Sequence, residues 1–171
     1  MGLFRAIYPS VDAFAIQSNK SEVIIDSRGS GCLFSIITGQ QGFEINNPYS
    51  RPFNLVKIDG YLLPASKGGQ CDGCFIYNDG LGLLELKIDT TTPKKKNAKK
   101  HYKKAERQLL NTVLRFDNAG LDIRTIASNV EADVCVNNSF PRTKSSEMSS
   151  SIRFAIATKG IGLYFTNSKT I

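Results

Sequence analysis

The chain has 171 residues, of which 41% are hydrophobic and 22% are charged, the balance of one ordinary globular domain over residues 1–171. Twenty-two lysines and arginines against fifteen acidic residues give a formal net charge of +7, which favours a polyanionic partner. The sequence contains neither a run of 18 apolar residues nor a basic-then-apolar leader, so we expect a cytoplasmic protein without a membrane partner.

The chain before residue 70 is predicted to be mostly β-structure. Ser10–Gln17 is an exception, because Ser10 is a favourable N-cap and Asp12 falls in the first turn of a short helix. Short apolar runs bounded by turn residues predict strands, and these runs are Glu22–Asp26, Cys32–Thr38 and Phe53–Leu63. The loop Pro64–Gly69 follows the last of them.

Residues 70–89 predict a β-hairpin, because Asp79-Gly80 is a strong turn signal between apolar runs. If these two residues form the loop, Asp72 lies opposite Lys87 and Cys74 lies opposite Glu85. Asp72, Glu85 and Lys87 then project from one face of the hairpin, with the two carboxylates on diagonal neighbours roughly 7–8 Å apart at Cα. A three-residue loop would move Asp72 to the other face.

The segment after the hairpin predicts a helix from about 97 to 117, because apolar residues recur at steps of three and four. Many lysines lie in its first turns and in the loop before it, where cations oppose the helix dipole. That cost is understandable if they bind a phosphate backbone, the alternative being a solvated basic face. The predicted nucleic-acid-binding lysines are Lys94, Lys95, Lys96, Lys99, Lys100, Lys103 and Lys104.

The C-terminal third is predicted to add closing strands and a polar insertion. Ala132–Asn137 is apolar enough for a strand, and Asn138–Ser151, with six serines, is predicted to be a loop. Ile152–Thr158 and Ile161–Thr166 are predicted strands on either side of the turn signal Lys159-Gly160. Together with the helix, these elements indicate an α/β fold with a mixed sheet.

Asp72 followed by Glu85-Leu86-Lys87 resembles the motif of the PD-(D/E)xK nuclease superfamily, although Cys71 stands where the motif name has proline. The resemblance implies a restriction-endonuclease-like fold, a mixed β-sheet flanked by helices, here with extra N-terminal β elements. It also implies that Asp72, Glu85 and the main-chain carbonyl of Leu86 bind Mg²⁺, with Mn²⁺ as a substitute, and that Lys87 orients or activates the attacking water. Oxygen ligands suit Mg²⁺, and phosphodiester hydrolysis needs both a nucleophile and charge stabilisation.

Two further site residues follow from the resemblance alone. Gln108, one turn after Lys104, matches a helix residue that points back to the metal in many family members, the alternative being an ordinary polar helix residue. An acidic residue upstream of the hairpin often adds a ligand. The candidates here are Glu22 and Glu44, and neither lies in a predicted helix.

The alternative without a functional site is a surface strand with an Asp72–Lys87 ion pair, which would contribute little to stability. Against it, Leu81 and Leu83 occupy one face of the second strand while Leu84 and Leu86 occupy the other. Charges on a strand that is apolar on both faces are costly unless they serve a site.

We therefore interpret the chain as a Mg²⁺-dependent endonuclease that hydrolyses phosphodiester bonds of DNA, which we favour over RNA as the substrate. The resemblance alone implies an effector of a restriction or anti-phage (antiviral) defence system, and we expect either a homodimer or a larger complex that supplies specificity. The alternative is a catalytically silent nuclease-fold subunit that binds nucleic acid or a partner protein. A metal-free RNA-binding protein ranks last, because the chain has no tryptophan and no aromatic ladder.

The four cysteines, Cys32, Cys71, Cys74 and Cys135, are predicted to be buried free thiols. A zinc or iron–sulfur site and a redox pair are the alternatives. The chain has one Cys-x-x-Cys pair and one histidine, His101, and on a strand two residues three apart point to opposite faces.

Overall fold

The computed structural model of the chain describes residues 1–27, 30–37, 39–65, 68–87, 95–136 and 144–171, with the main chain alone for 95–99. Within these ranges the strands are β1 (Ala15–Ser18), β2 (Glu22–Ser27), β3 (Gly31–Phe34), β4 (Phe43–Asn46), β5 (Phe53–Lys57), β6 (Gly73–Tyr77), β7 (Gly80–Lys87), β8 (Asn129–Val136), β9 (Gly162–Tyr164) and β10 (Ser168–Thr170). The α-helices are α1 (Gly2–Ile7), α2 (Lys95–Asn118) and α3 (Lys144–Ala157), and short 3-10 helices span Val11–Phe14 and Ile123–Thr125.

The strands form two mixed sheets, so the α/β class predicted from the sequence is confirmed. The large sheet has the order β1-β5-β6-β7-β8-β9, and the small sheet has the order β10-β4-β2-β3. β5, β6 and β7 are antiparallel neighbours, whereas β7, β8 and β9 run parallel. Parallel neighbours need a crossover, and α2 and α3 provide the two crossovers.

The large sheet is covered on both faces, and its central strand β7 is apolar for that reason. Leu81 and Leu83 pack with the buried face of α2 in one hydrophobic cluster. Leu84 and Leu86 pack against the small sheet in a second cluster. Alternation along the strand therefore directs Glu85 and Lys87 to the same side as Leu81 and Leu83, the side that α2 covers.

Several predicted boundaries in the N-terminal half are wrong. In place of a helix over Ser10–Gln17, the chain forms a single 3-10 turn and then β1, because Ala15 and the three following residues pair with β5. The predicted strands Cys32–Thr38 and Phe53–Leu63 end early, at Phe34 and Lys57. Thr38 lies outside the described residues.

The predicted hairpin exists, but its loop is Asn78-Asp79 and Gly80 already pairs with Tyr77. Asn78 has φ 31°, a backbone that asparagine tolerates better than most residues. A Cβ on Gly80 would collide with the Tyr77 ring, so this glycine lets the ring cross the partner strand. The predicted pairing of Cys74 with Glu85 is therefore wrong. The register differs by two residues, which leaves every side chain on its predicted face.

The predicted loop Asn138–Ser151 and strand Ile152–Thr158 are wrong where the structure describes them, because α3 begins at Lys144. The helix buries Ser150 and Phe154 and exposes Met148, Ile152 and Ile156. Its buried face is thus partly polar, and large apolar side chains lie among its exposed residues, which departs from the usual pattern. For this reason the alternation of Ile152, Phe154 and Ile156 resembles the sequence pattern of a β-strand. Residues 138–143 lie outside the described residues.

Lys159-Gly160 ends α3 and does not form the predicted hairpin. Both residues have positive φ, 57° and 112°, and the Gly160 amide donates to the Ala155 carbonyl at 2.8 Å. This is the left-handed C-terminal cap in which glycine is favoured. The chain then enters β9, which is shorter than the predicted strand Ile161–Thr166.

The four cysteines are buried free thiols, as predicted. None of the described helices combines the length and the apolar character that crossing a lipid bilayer requires.

A cluster of three ionisable residues, Glu131, Asp133 and Lys169, lies between the two sheets. Lys169 on β10 places its Nζ 2.6 Å from a carboxylate oxygen of Glu131 on β8. Asp133, two residues further along β8, is 1% exposed. Burial, followed by the nearby charge of Glu131, raises the pKa of Asp133 from 3.8 to about 8, while Lys169 acts in the opposite direction.

This raised pKa predicts a pH-dependent stability. The folded chain keeps the Asp133 proton between about pH 4 and pH 8, where the unfolded chain has released it, so stability from this group is lost as the pH rises through that window. Relative to Asp133→Asn, the wild type should lose at most about 1.4 kcal/mol of unfolding free energy per pH unit. Urea unfolding across this range measures the difference.

Glu44→Gln is the matched control, because Glu44 is exposed on β4. Its free energy of unfolding should follow the wild-type pH profile. Parallel profiles for Asp133→Asn and the wild type would contradict a raised pKa at Asp133.

Candidate active site

Asp72 is fixed at the point where the chain enters β6. One of its carboxylate oxygens, Oδ2, accepts the main-chain N–H of Leu86 at 2.6 Å. Its carbonyl accepts the amide of Ile58 at 3.0 Å and the thiol of Cys32 at 3.3 Å. The first bond joins the start of β6 to the end of β7, just beyond the last ladder pair, Gly73 with Leu84.

Glu85 and Lys87 meet on the side of β7 that faces α2. Glu85 is 0% exposed, and Lys87 Nζ contacts its Oε1 atom. The same ammonium lies 3.4 Å from the main-chain carbonyl of Leu86. Glu85 Oε2 is buried and has no hydrogen-bond partner among the described residues. A buried carboxylate oxygen without a partner is costly, and it is an acceptor that a cation would satisfy.

Asp72 and Lys87 each shift the pKa of the other. Burial raises the pKa of Asp72 to about 6, while the charge of Lys87 and the bond from Leu86 work to lower it. Burial lowers the pKa of Lys87, and Asp72 opposes this effect. Lys104 on α2 also lowers the pKa of Lys87. The first turns of α2 therefore bring positive charge to this end of β7.

Two aspartates near Asp72 escaped the sequence analysis. Asp59 follows β5, and burial and the charge of Asp26 raise its pKa. Both Asp26 and Asp59 in turn raise the pKa of Asp72, so their charges lie within electrostatic range of it. In the sequence, Asp59-Gly60 is a turn signal that could have placed Asp59 in a loop, but it lies inside the predicted strand Phe53–Leu63.

The two predicted upstream acids have other surroundings. Glu22 accepts a hydrogen bond from Ser18 Oγ at 2.6 Å, and Glu44 is exposed on β4 of the small sheet. None of the contacts recorded for the described residues joins either of them to Asp72 or Glu85.

The available donor set consists of oxygens. Asp72 and Glu85 contribute carboxylates, and Leu86 contributes its main-chain carbonyl, next to which Lys87 Nζ lies. In the part of the chain that the structure describes, no three acidic, histidine or cysteine side chains converge on one metal position. Two carboxylates and a carbonyl, completed by water, still match what Mg²⁺ requires, because this ion usually keeps several waters.

Four polar side chains on one face of α2 hold the loop that leads into Asp72. They occupy positions i, i+3, i+4 and i+7, which fall on one side of a helix, and each bonds to main-chain atoms of the loop. Gln108 Nε2 donates to the Gln70 carbonyl at 2.9 Å, Asn111 Nδ2 to the Gly69 carbonyl at 3.2 Å, the Cys71 amide to Thr112 Oγ1 at 2.9 Å, and an Arg115 nitrogen to the Pro64 carbonyl at 2.8 Å.

Gln108 thus contacts the loop before Asp72 through its amide nitrogen. Its Oε1 atom is buried and has no hydrogen-bond partner within the described ranges. These contacts indicate that Gln108 positions the loop. Its predicted orientation toward a metal stays a prediction. The sequence did not reveal the parts played by Asn111, Thr112 and Arg115, because polar helix residues carry no sign of their partners.

The predicted nucleic-acid-binding lysines are only partly described. Lys94 lies outside the described residues, and of Lys95, Lys96 and Lys99 only the main chain is described. Lys100, Lys103 and Lys104 are exposed on α2. Lys100 and Lys104 belong to the charged group around Lys87, because both lower the pKa of the neighbouring His101 together with Lys87.

No protein-family profile, curated protein or solved structure matches the chain. The chemistry open to the site therefore follows from its own geometry. That geometry is a buried carboxylate, Glu85, with a half-buried carboxylate and a half-buried lysine beside it, at the end of two neighbouring strands and under the basic end of a helix.

The contact between Thr112 and Cys71 predicts a large effect for a small change. Thr112→Val keeps the shape of the side chain but leaves the buried Cys71 amide without its acceptor, which should cost about 1–3 kcal/mol of unfolding free energy. Chemical denaturation measures this loss.

Thr158→Val is the matched control. Thr158 is also buried. Its hydroxyl donates to the carbonyl four residues earlier, as the hydroxyl of Thr112 does to Gln108, yet no amide depends on it in the described contacts. It should lose clearly less stability than Thr112→Val. Equal losses would show that the hydroxyl of Thr112 does not support the loop.

Proposed function

We propose that this chain is a Mg²⁺-dependent endonuclease of the PD-(D/E)xK type, acting on DNA. The observation that supports it most is the meeting of Asp72 and the Glu85-Leu86-Lys87 segment at the joined ends of β6 and β7. The large mixed sheet, with α2 between β7 and β8, also agrees with the helix-flanked mixed sheet that the resemblance implies. A role in restriction or anti-phage defence rests on the resemblance alone.

Asp72, Glu85 and the Leu86 carbonyl would hold the ion. Bound Mg²⁺ would supply Lewis-acid stabilisation of the phosphate and a water nucleophile at neutral pH. Glu85 is suited to this task because its Oε2 atom is buried and lacks a partner among the described residues. Asp72 is suited because its bond to the Leu86 amide fixes its orientation and occupies only one of its oxygens.

Lys87 would provide the second half of the chemistry. Its ammonium already lies against Glu85 Oε1 and near the Leu86 carbonyl, so it is held within reach of any water bound at these oxygens. There it would orient the attacking water and offset negative charge on the scissile phosphate. The same cation also compensates the buried Glu85 charge before any ligand binds.

The surrounding charge favours a polyanionic substrate. Lys104 on α2 lies close enough to Lys87 and His101 to lower the pKa of both, and Lys100 lowers the pKa of His101. The chain as a whole has a net charge of +7. Cations placed beside a buried acidic site would bring a phosphate backbone to carboxylates that would otherwise repel it.

Glu85→Gln and Lys87→Met should each lower Mg²⁺-dependent cutting of plasmid DNA by at least about 10²-fold, because each removes a group that stabilises the reaction. Glu44→Gln, which changes an exposed acid on β4, should cut like the wild type. EDTA should abolish cutting in all cases, and calorimetry should show weakened Mg²⁺ binding for Glu85→Gln.

Removing one member of a buried ion pair can also unfold a protein. The double variant Glu85→Gln/Lys87→Met avoids this, because it removes both charges together. If it folds and still cuts DNA, the proposed site is wrong. If the wild type binds DNA and Mg²⁺ but never cuts, the silent-subunit alternative holds.

Lys100→Ala/Lys104→Ala should weaken DNA binding, and the slope of log affinity against log salt should fall by about 0.9 for each phosphate that is no longer neutralised. Arg51→Ala removes an exposed charge between β4 and β5 and should leave the slope unchanged. An unaltered slope in the double variant would exclude both lysines from the phosphate path.

A further inference from the structure

A groove of about 720 Å³ runs between α2 and α3, apart from the carboxylate site. One wall comes from α2 and the other from α3. Cations and hydroxyl groups provide most of its polar lining, chiefly Lys103, Arg107, Ser145, Ser146, Ser149 and Arg153.

The charge of this groove is positive after its internal ion pair is taken into account. Arg153 donates to both carboxylate oxygens of Glu106, at 3.1 and 3.4 Å, and also to Ser150 Oγ at 3.1 Å. Glu106 and Arg153 therefore offset each other and form a fixed part of the wall. Lys103 and Arg107 are exposed, and no ion pair is recorded for either of them within the described residues. Their two charges remain available to a ligand.

These groups suit a chain of phosphates. Hydroxyl groups and cations are the usual partners of phosphate oxygens, and the serines of α3 line the groove over more than one helical turn. The apolar side chains of α3 (Met148, Ile152 and Ile156) point away from the core and are absent from the lining.

The groove lies beside the proposed active site. Lys103 occupies the same turn of α2 as Lys104, whose charge lowers the pKa of Lys87, and one helical turn advances only about 5.4 Å. Lys104 therefore faces the site while Lys103 and Arg107 face α3. A backbone that crosses the N-terminal half of α2 would meet both groups of cations.

We propose that the α2–α3 groove binds the phosphodiester backbone of the nucleic-acid substrate at nucleotides next to the one that is cut. This inference rests on the proposed function, because it assigns the groove to the same substrate. Arg107 and the serines of α3 then determine how tightly a long substrate binds, and the carboxylate site determines whether it is cut.

The test measures binding of labelled DNA by fluorescence anisotropy at several salt concentrations, with EDTA present to prevent cutting. Lys103→Ala/Arg107→Ala should weaken binding of a 20-base-pair duplex about tenfold or more and lower the salt slope by about 2. Lys20→Ala, which removes an exposed charge between β1 and β2, should bind as the wild type does. Glu106→Gln should bind more tightly, because it releases Arg153 from its counter-charge.

Hydrolysis of bis(p-nitrophenyl) phosphate separates the two proposals, since this small diester can fill the carboxylate site without reaching the groove. The double variant should therefore lose more of its activity on DNA than on this small diester. If the wild type cuts DNA and the double variant binds it with an unchanged salt slope, the groove proposal is overturned and the nuclease proposal stands. If the wild type binds DNA but hydrolyses neither substrate, weaker binding by the double variant supports the groove while the nuclease proposal fails. Wild-type protein that binds no DNA overturns both.

Discussion

The bond from the Leu86 amide to the Asp72 carboxylate joins the two strand ends on which the candidate site depends. It extends the β6–β7 pairing past its last ladder pair and fixes Asp72 next to the Glu85-Leu86-Lys87 segment. The donor is a main-chain amide, so the position of Asp72 follows from the backbone of β7. The carboxylate that would bind a metal is in this way part of the hairpin.

The same hairpin explains why charged groups can exist so deep in the fold. β7 is covered by α2 on one face and by the small sheet on the other, and an unpaired charge in such a strand would be strongly destabilising. Glu85 and Lys87 lie two residues apart and on one face, so they compensate each other. Removing either one alone would leave the other buried without its partner. The pair is therefore both a structural element and the chemical centre of the proposed site.

The sequence predicted what depends on local periodicity. α2 was expected from about 97 to 117 and spans Lys95–Asn118, because its apolar residues repeat at helical spacing. Asp72, Glu85 and Lys87 share a face although the predicted β6–β7 register was wrong, because a shift of two residues leaves each side chain on the same face. α3 was missed because it exposes Ile152 and Ile156 and buries Ser150. The small sheet and the closeness of Asp59 to Asp72 depend on contacts between distant segments, such as β10 with β4, and no local pattern encodes them.

The four bonds from α2 to the loop before Asp72 constrain both segments. All four engage main-chain atoms of the loop, whereas on the helix they need the side chains of Gln108, Asn111, Thr112 and Arg115. On the loop, Gly68 and Gly69 have positive φ, and a Cβ there would lie 2.7 Å from Asn111 Nδ2 and 3.3 Å from Gln108. During evolution, these two glycines and the helix face that holds them should therefore change together or not at all.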